Sequence, residues 1–238
     1  MIYLTNEEID ELGEGLIRRY LGAEADNCFC VDIEGFVSDF LGSPILYRTI
    51  AEKDTDKIGF ISDGITPLWV YEDKKRVSKV FPKGTIVIEK CLRREGESGK
   101  RRFTIAHEGG HIVAERTLPQ ASYHREFDSE RRYTPEDFRG LFNFREAQID
   151  RMGASLLMPR FMVYNVLTRY GVPDGIRVYG DNILRAEDKL LVQDMANTMG
   201  ASYSAFFIRL KELGLLKRCD LDEFISKEMG LRWDGEPQ

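Results

Sequence analysis

Two of the chain's three histidines stand four residues apart in HEGGHIVAE, at His107 and His111, with Glu108 beside the first. On a helix, residues i and i+4 share a face, so both rings can turn a nitrogen toward one ion. At 3.6 residues per turn Glu108 is rotated by about 100° from His107, so it flanks that ion where a carboxylate can take a proton from a nearby water. A catalytic zinc site also needs a third protein ligand and an open position. The longer H-E-x-x-H-x-x-G-x-x-H pattern is excluded, because Ala114 and Thr117 occupy the places of its glycine and third histidine. A carboxylate from a later helix must then serve, and Glu146 is the leading candidate. It opens the helical-looking run EAQIDRMGASLLMP, with Asp150 one turn on to accept from a histidine ring N–H. Glu115, Glu126, Glu130, Glu136 and His124 are weaker competitors. The plain alternative for Glu146 is a helix-start carboxylate favoured by the macrodipole.

The two glycines inside the motif each cost a helix about 1 kcal/mol relative to alanine. With the histidines as the front of the helix, Gly110 lies on the flank near the ion, where a facing helix can approach, and Gly153 can match it from the Glu146 helix. Gly109 points the other way, with Ile105 and Ile112, into the core. Some neighbour must fill the room it leaves, or a void results.

Positioning these residues requires a framework, and the pattern is that of an α+β chain. Thr5 and Glu8 form a capping box before a helix to about Leu21, and Asp32 caps a second helix stopped by Gly42 and Pro44. PILYRTI, KIGFIS, PLWVYE and TIVIEKC read as short strands of a small mixed or antiparallel sheet. RREGESGKRR (93–102) reads as a loop, and the motif helix is expected to start near Arg102 or Phe103. Residues 119–145 read as a long loop with one helical turn at PEDF, followed by helices from Arg145 to Met158 and through FMVYNVLTRYG. Two further helical runs, AEDKLLVQDMANTMG and ASYSAFFIRLKELGLL, meet at Gly200, and the one expected boundary falls near 171–182.

The totals exclude several function classes. A net charge of −6 argues against a broad grip on nucleic acid or an anionic membrane. MIYLTNEEIDEL has no signal-peptide pattern and no segment approaches 18 consecutive apolar residues, so a cytoplasmic protein is expected. Cys28, Cys30, Cys91 and Cys219 contain no C-x-x-C pair and are expected to be reduced and mostly buried. The helix–glycine–helix rhythm at the C-terminal end suits a helix-turn-helix, yet residues 181–218 hold six Lys or Arg against five Asp or Glu. Direct DNA binding is therefore the lesser reading there, and packing of Met195, Phe206, Phe207, Leu210 and Leu213 the greater.

RRFTIAHEGGHIVAE followed by EAQIDRMGASLLMPRFMV resembles the ImmA/IrrE family of metallopeptidases, whose usual pattern is RRFTLAHELGH and then E-x-x-A-N-x-F-A-A-x-L-L-M-P. The resemblance extends over about residues 30 to 218, through VDIEGFVSDFLGSPILY, TIVIEK and SAFFIRLKELGLL. It implies a zincin-like, gluzincin-type core at 1–175, its sheet packed on the motif helix, and a C-terminal helical region at 176–238. It implies zinc held by His107, His111 and Glu146, with Glu108 as catalytic acid/base. Gly109, Ile149, Asp150, Met152 and Gly153 depart from the pattern without removing a ligand or the base. His124, Tyr123 and Arg125 are candidates for an oxyanion or substrate contact, and TIVIEK for an edge on which an extended substrate pairs. The implied function is a site-specific regulatory endopeptidase that cleaves a helix-turn-helix transcriptional repressor. The competing readings are a DNA-binding or protein-interaction module, or a zincin fold that needs a partner to act.

Overall fold

The first helix is built as its capping box requires. In α1 (Asn6–Leu21) the Thr5 hydroxyl accepts from the Glu8 N–H and Glu8 accepts in turn from the Thr5 N–H. Asp32 caps α2 (Ile33–Gly35), which continues as a π turn over Phe36–Phe40 and ends at Gly42 with φ 68°. The computed structural model describes residues 4–53, 57–117 and 135–231, with side chains from Glu146 onward in the last segment.

The sheet has five strands in the order β2-β5-β1-β3-β4: β1 (Ile45–Ile50), β2 (Gly59–Ile61), β3 (Leu68–Glu72), β4 (Lys75–Lys79) and β5 (Ile86–Glu89). Only the β1–β5 pair is parallel. β4 was not readable from sequence, because KRVSK has the charge of a loop. It is an edge strand, where lysines are at home, and a two-residue turn at Asp73 and Lys74, both with positive φ, joins it to β3. Alternation divides the apolar residues between two faces. Ile45, Tyr47, Ile61, Ile86 and Ile88 join the main core, whereas Val87, Leu68, Val70 and Phe81 form a smaller one with Leu46, Ile50 and Phe60. The interior place of β5, between β2 and β1, overturns the expectation that TIVIEK offers a free edge. The edge at that end of the sheet is β2.

The motif helix α3 spans Ser98–Thr117, a turn earlier than expected. Local sequence does not explain this; distant anchors do. Arg102 donates from Nε to the Gly200 carbonyl at 2.9 Å and from Nη2 to the Val31 carbonyl at 2.6 Å, and Arg101 donates to the Leu92 carbonyl. The next helix, α4, runs Pro135–Leu157, so its start also precedes the expected Arg145 and absorbs the turn at PEDF.

α4 lies against both α1 and α3. A Cβ on Gly13 of α1 would collide with the Ser155 hydroxyl, so those two helices meet where one lacks a side chain. Beyond α4 follow α5 (Arg160–Arg169), β6 (Ile176–Tyr179), α6 (Ala186–Thr198), α7 (Tyr203–Glu212), β7 (Leu216–Cys219) and α8 (Leu221–Lys227). β6 and β7 pair in parallel, a contact between short strands separated by two helices that periodicity does not reveal.

Met195, Phe206 and Leu210 are fully buried in the same apolar cluster as Ile105 and Leu156. The helix that a helix-turn-helix would present to DNA therefore turns much of its surface inward. Arg209 on that helix has no exposed surface; it donates to the Met158 carbonyl at 3.0 Å and pairs with Asp10 at 2.7 Å. Arg151 of α4 also pairs with Asp10. The four cysteines are free thiols, but they are partly or well exposed and not buried as expected. Among the described residues no helix is long and apolar enough to cross a membrane.

Asp10, itself only 3% exposed, thus faces two guanidinium groups. Asp10→Ala should lower the unfolding free energy by about 3–5 kcal/mol, because it removes the buried carboxylate that Arg151 and Arg209 share and leaves Glu212 alone beside both. Chemical denaturation of the purified variant measures this.

Candidate metal centre

His107 and His111 leave the same face of α3, with ring centroids 4.9 Å apart and Nε2 atoms 3.3 Å apart. Glu146 comes to them from α4, its Oε2 lying 3.5 Å from His107 Nε2 and 3.8 Å from His111 Nε2. Two donors held at 2.0–2.1 Å from a tetrahedral zinc stand about 3.3 Å apart, so this triangle is slightly wide of that spacing and fits one ion without rearrangement of the backbone. Two imidazoles and a carboxylate are also a donor set that zinc accepts.

Backbone proximity makes the triangle. A Cβ on Gly110 would stand 3.1 Å from the Ile149 carbonyl, and one on Gly153 would stand 3.0 Å from the His107 backbone nitrogen. The two helices therefore cross on their glycines, one residue of the crossing being a histidine of the triangle. Gly109, facing away, is filled from behind by Val37, whose Cγ2 would be 3.0 Å from an added Cβ. Glu146 lies well inside α4, more than two turns from its start, so the helix-start explanation for this carboxylate does not hold.

Asp150 Oδ1 stands 2.8 Å from His107 Nδ1. This contact fixes the ring and leaves Nε2 free to face the triangle, the arrangement in which a carboxylate orients a metal-ligating histidine. Burial alone would lower the His107 pKa. The Asp150 hydrogen bond, with the charges of Glu108, Asp150 and Glu146, outweighs it and raises the value above 6.5.

Glu108 is 7% exposed, and burial pushes its carboxyl up to about 7. The charge on His107 works against that rise, Glu146 adds to it and Lys57 opposes it. A cation in the triangle would draw the value down and favour the carboxylate, the form that accepts a proton. It rests against β2, where a Cβ on Gly59 would come within 2.4 Å of Glu108 Oε1.

His107, His111, Glu146 and Asp150 are thus brought together, with Glu108 alongside. Tyr123, His124, Arg125, Glu126 and Glu130 lie outside the described residues, as does the side chain of Glu136. Glu115 pairs with Lys83 at 3.4 Å and takes no part. Sequence reasoning missed Gly59 and Lys57. Their nearness to Glu108 depends on the sheet packing against α3, a relation that no local pattern encodes.

The family model described as the IrrE N-terminal-like domain, Peptidase M78, matches residues 45–210, more than half of the chain. The chain belongs to this family. Comparison with curated proteins finds no match. The Peptidase M78 match starts at β1 and ends in α7, so it takes in the sheet, both helices of the triangle and the buried Arg209. Peptidase M78 points to a metal-dependent peptidase, and His107, His111 and Glu146 form a group close enough together to hold one ion.

Asp150→Ala removes the carboxylate that holds His107. It should weaken zinc affinity about 10–100-fold with the fold intact, as competition with a chromogenic chelator would show.

Proposed function

We propose that this chain is a zinc-dependent endopeptidase with His107, His111 and Glu146 as the metal ligands, Glu108 as the general base and acid, and Asp150 as the group orienting His107. The observation that carries this reading is the triangle itself: three donors from two helices, within 4.8 Å of one another, with a buried carboxyl at its side. Zinc bound there would supply Lewis acidity toward a scissile carbonyl and an attacking water. A carboxyl oxygen of Glu108 takes the proton from that water and later gives it to the departing amine, acting first as base and then as acid. Asp150 keeps the His107 ring from turning. The outer edge of β2 is the place where an extended substrate can add its backbone hydrogen bonds beside Glu108.

The substrate we assign is a helix-turn-helix transcriptional repressor, on the strength of the family resemblance, and the protein acts in the cytoplasm, where four free thiols are at home. The reading as a DNA-binding module has no supporting observation: α7 buries Phe206, Leu210 and Arg209.

Co-expression with each regulator encoded beside the gene tests the assignment. The wild type should cleave one of them, a chelator should stop the cleavage, and Glu108→Gln should keep about one zinc per chain while losing at least about 100-fold in rate. Cleavage by Glu108→Gln at the wild-type rate would overturn the role of the carboxyl.

A further inference from the structure

Gly59 is the first residue of β2, paired with Ile88 of β5. A glycine within a strand costs about 0.5–1 kcal/mol relative to alanine, so its presence needs a reason. Backbone conformation does not supply one, because Gly59 is absent from the glycines with positive φ. Space does. A Cβ there would stand 2.4 Å from Glu108 Oε1, 3.2 Å from Glu108 Cδ and 2.8 Å from Thr104 Cγ2. Ile61, on the same face two residues on, packs into the main core with Ile86 and Ile88. Lys57, two residues before, places its Nζ 4.8 Å from the centre of the Phe60 ring.

We infer that Gly59 is a positioning residue: the bare backbone of β2 at this point is the seat of the Glu108 carboxyl, and any side chain there drives that carboxyl from its working position. The inference rests on the role proposed above for Glu108. The nearest obstacle to a Cβ is the end of a flexible side chain, which can yield, and the second is the methyl of Thr104, which a serine would lack. The three atoms nearest an added Cβ belong to Glu108 and Thr104 and none to a proposed zinc ligand, so the Gly59 variant is expected to keep zinc.

The test pairs a stability cycle with kinetics. Both backgrounds carry Thr104→Ser, which removes the second obstacle to a Cβ; there Gly59→Ala should lower the unfolding midpoint when Glu108 is present and cost little when Glu108 is replaced by alanine. On the regulator cleaved in the co-expression assay, Gly59→Ala should retain zinc, keep KM within about twofold and lose at least about tenfold in kcat, with or without Thr104→Ser. If Gly59→Ala does not fold, restoration of folding by Glu108→Ala supports the inference, and failure in both backgrounds overturns it. Equal cost in both backgrounds, loss of zinc, or an unchanged kcat also overturns it. If the wild type cleaves no regulator, the proposed function falls by itself, and the stability cycle still decides whether Gly59 seats Glu108.

Discussion

The site depends on how closely two helices can approach. α3 brings the histidine pair and α4 brings Glu146, and the crossing at Gly110 and Gly153 sets their separation. Side chains at such a crossing would hold the axes at the usual 8–10 Å or more. Here backbone meets backbone, and the carboxylate arrives within 4 Å of both rings. The cost in helix propensity at the two glycines is the expense of a donor set whose geometry comes from main-chain atoms, the least adjustable part of the protein.

The remainder of the molecule keeps those two helices in place. α4 is held on its far side by α1, through the Gly13–Ser155 contact and the ion pair from Arg151 to Asp10. Asp10 is shared with Arg209, so α7 is fastened to the same point. Arg102, one turn before His107, ties α3 to residue 31 and to residue 200. Segments far apart in the chain converge on the site without contributing a donor to it. The sheet acts differently: it supplies a wall, with Gly59 against the Glu108 carboxyl.

Much of this was legible from local signals. The i, i+4 histidines gave the metal face, the capping residues Thr5 and Asp32 gave two helix starts, and alternation gave four of the five sheet strands. The glycine geometry was also legible, because helical angles alone assign Gly110 to the flank and Gly109 to the core. What escaped was set by distant partners. SGKRR is polar and glycine-containing and reads as loop until Arg102 finds carbonyls 71 and 98 residues away. TIVIEK looks the same whether its strand is interior or at an edge, and only the sheet order decides. Glu146 was identified by its chemistry and one-turn partner, although the helix start used to support it was misplaced by ten residues.

The two edges of the sheet are unlike. β4 presents Lys75, Arg76 and Lys79 and follows a turn through Lys74, so a second strand approaching there meets a row of cations. β2 reads Gly-Phe-Ile and carries no charge along its length. Growth of the sheet is therefore one-sided: the edge that discourages pairing lies away from Glu108, and the edge that permits it runs beside Glu108. Extension of the sheet, by whatever strand, is thus directed to the side of the molecule that holds the buried carboxyl.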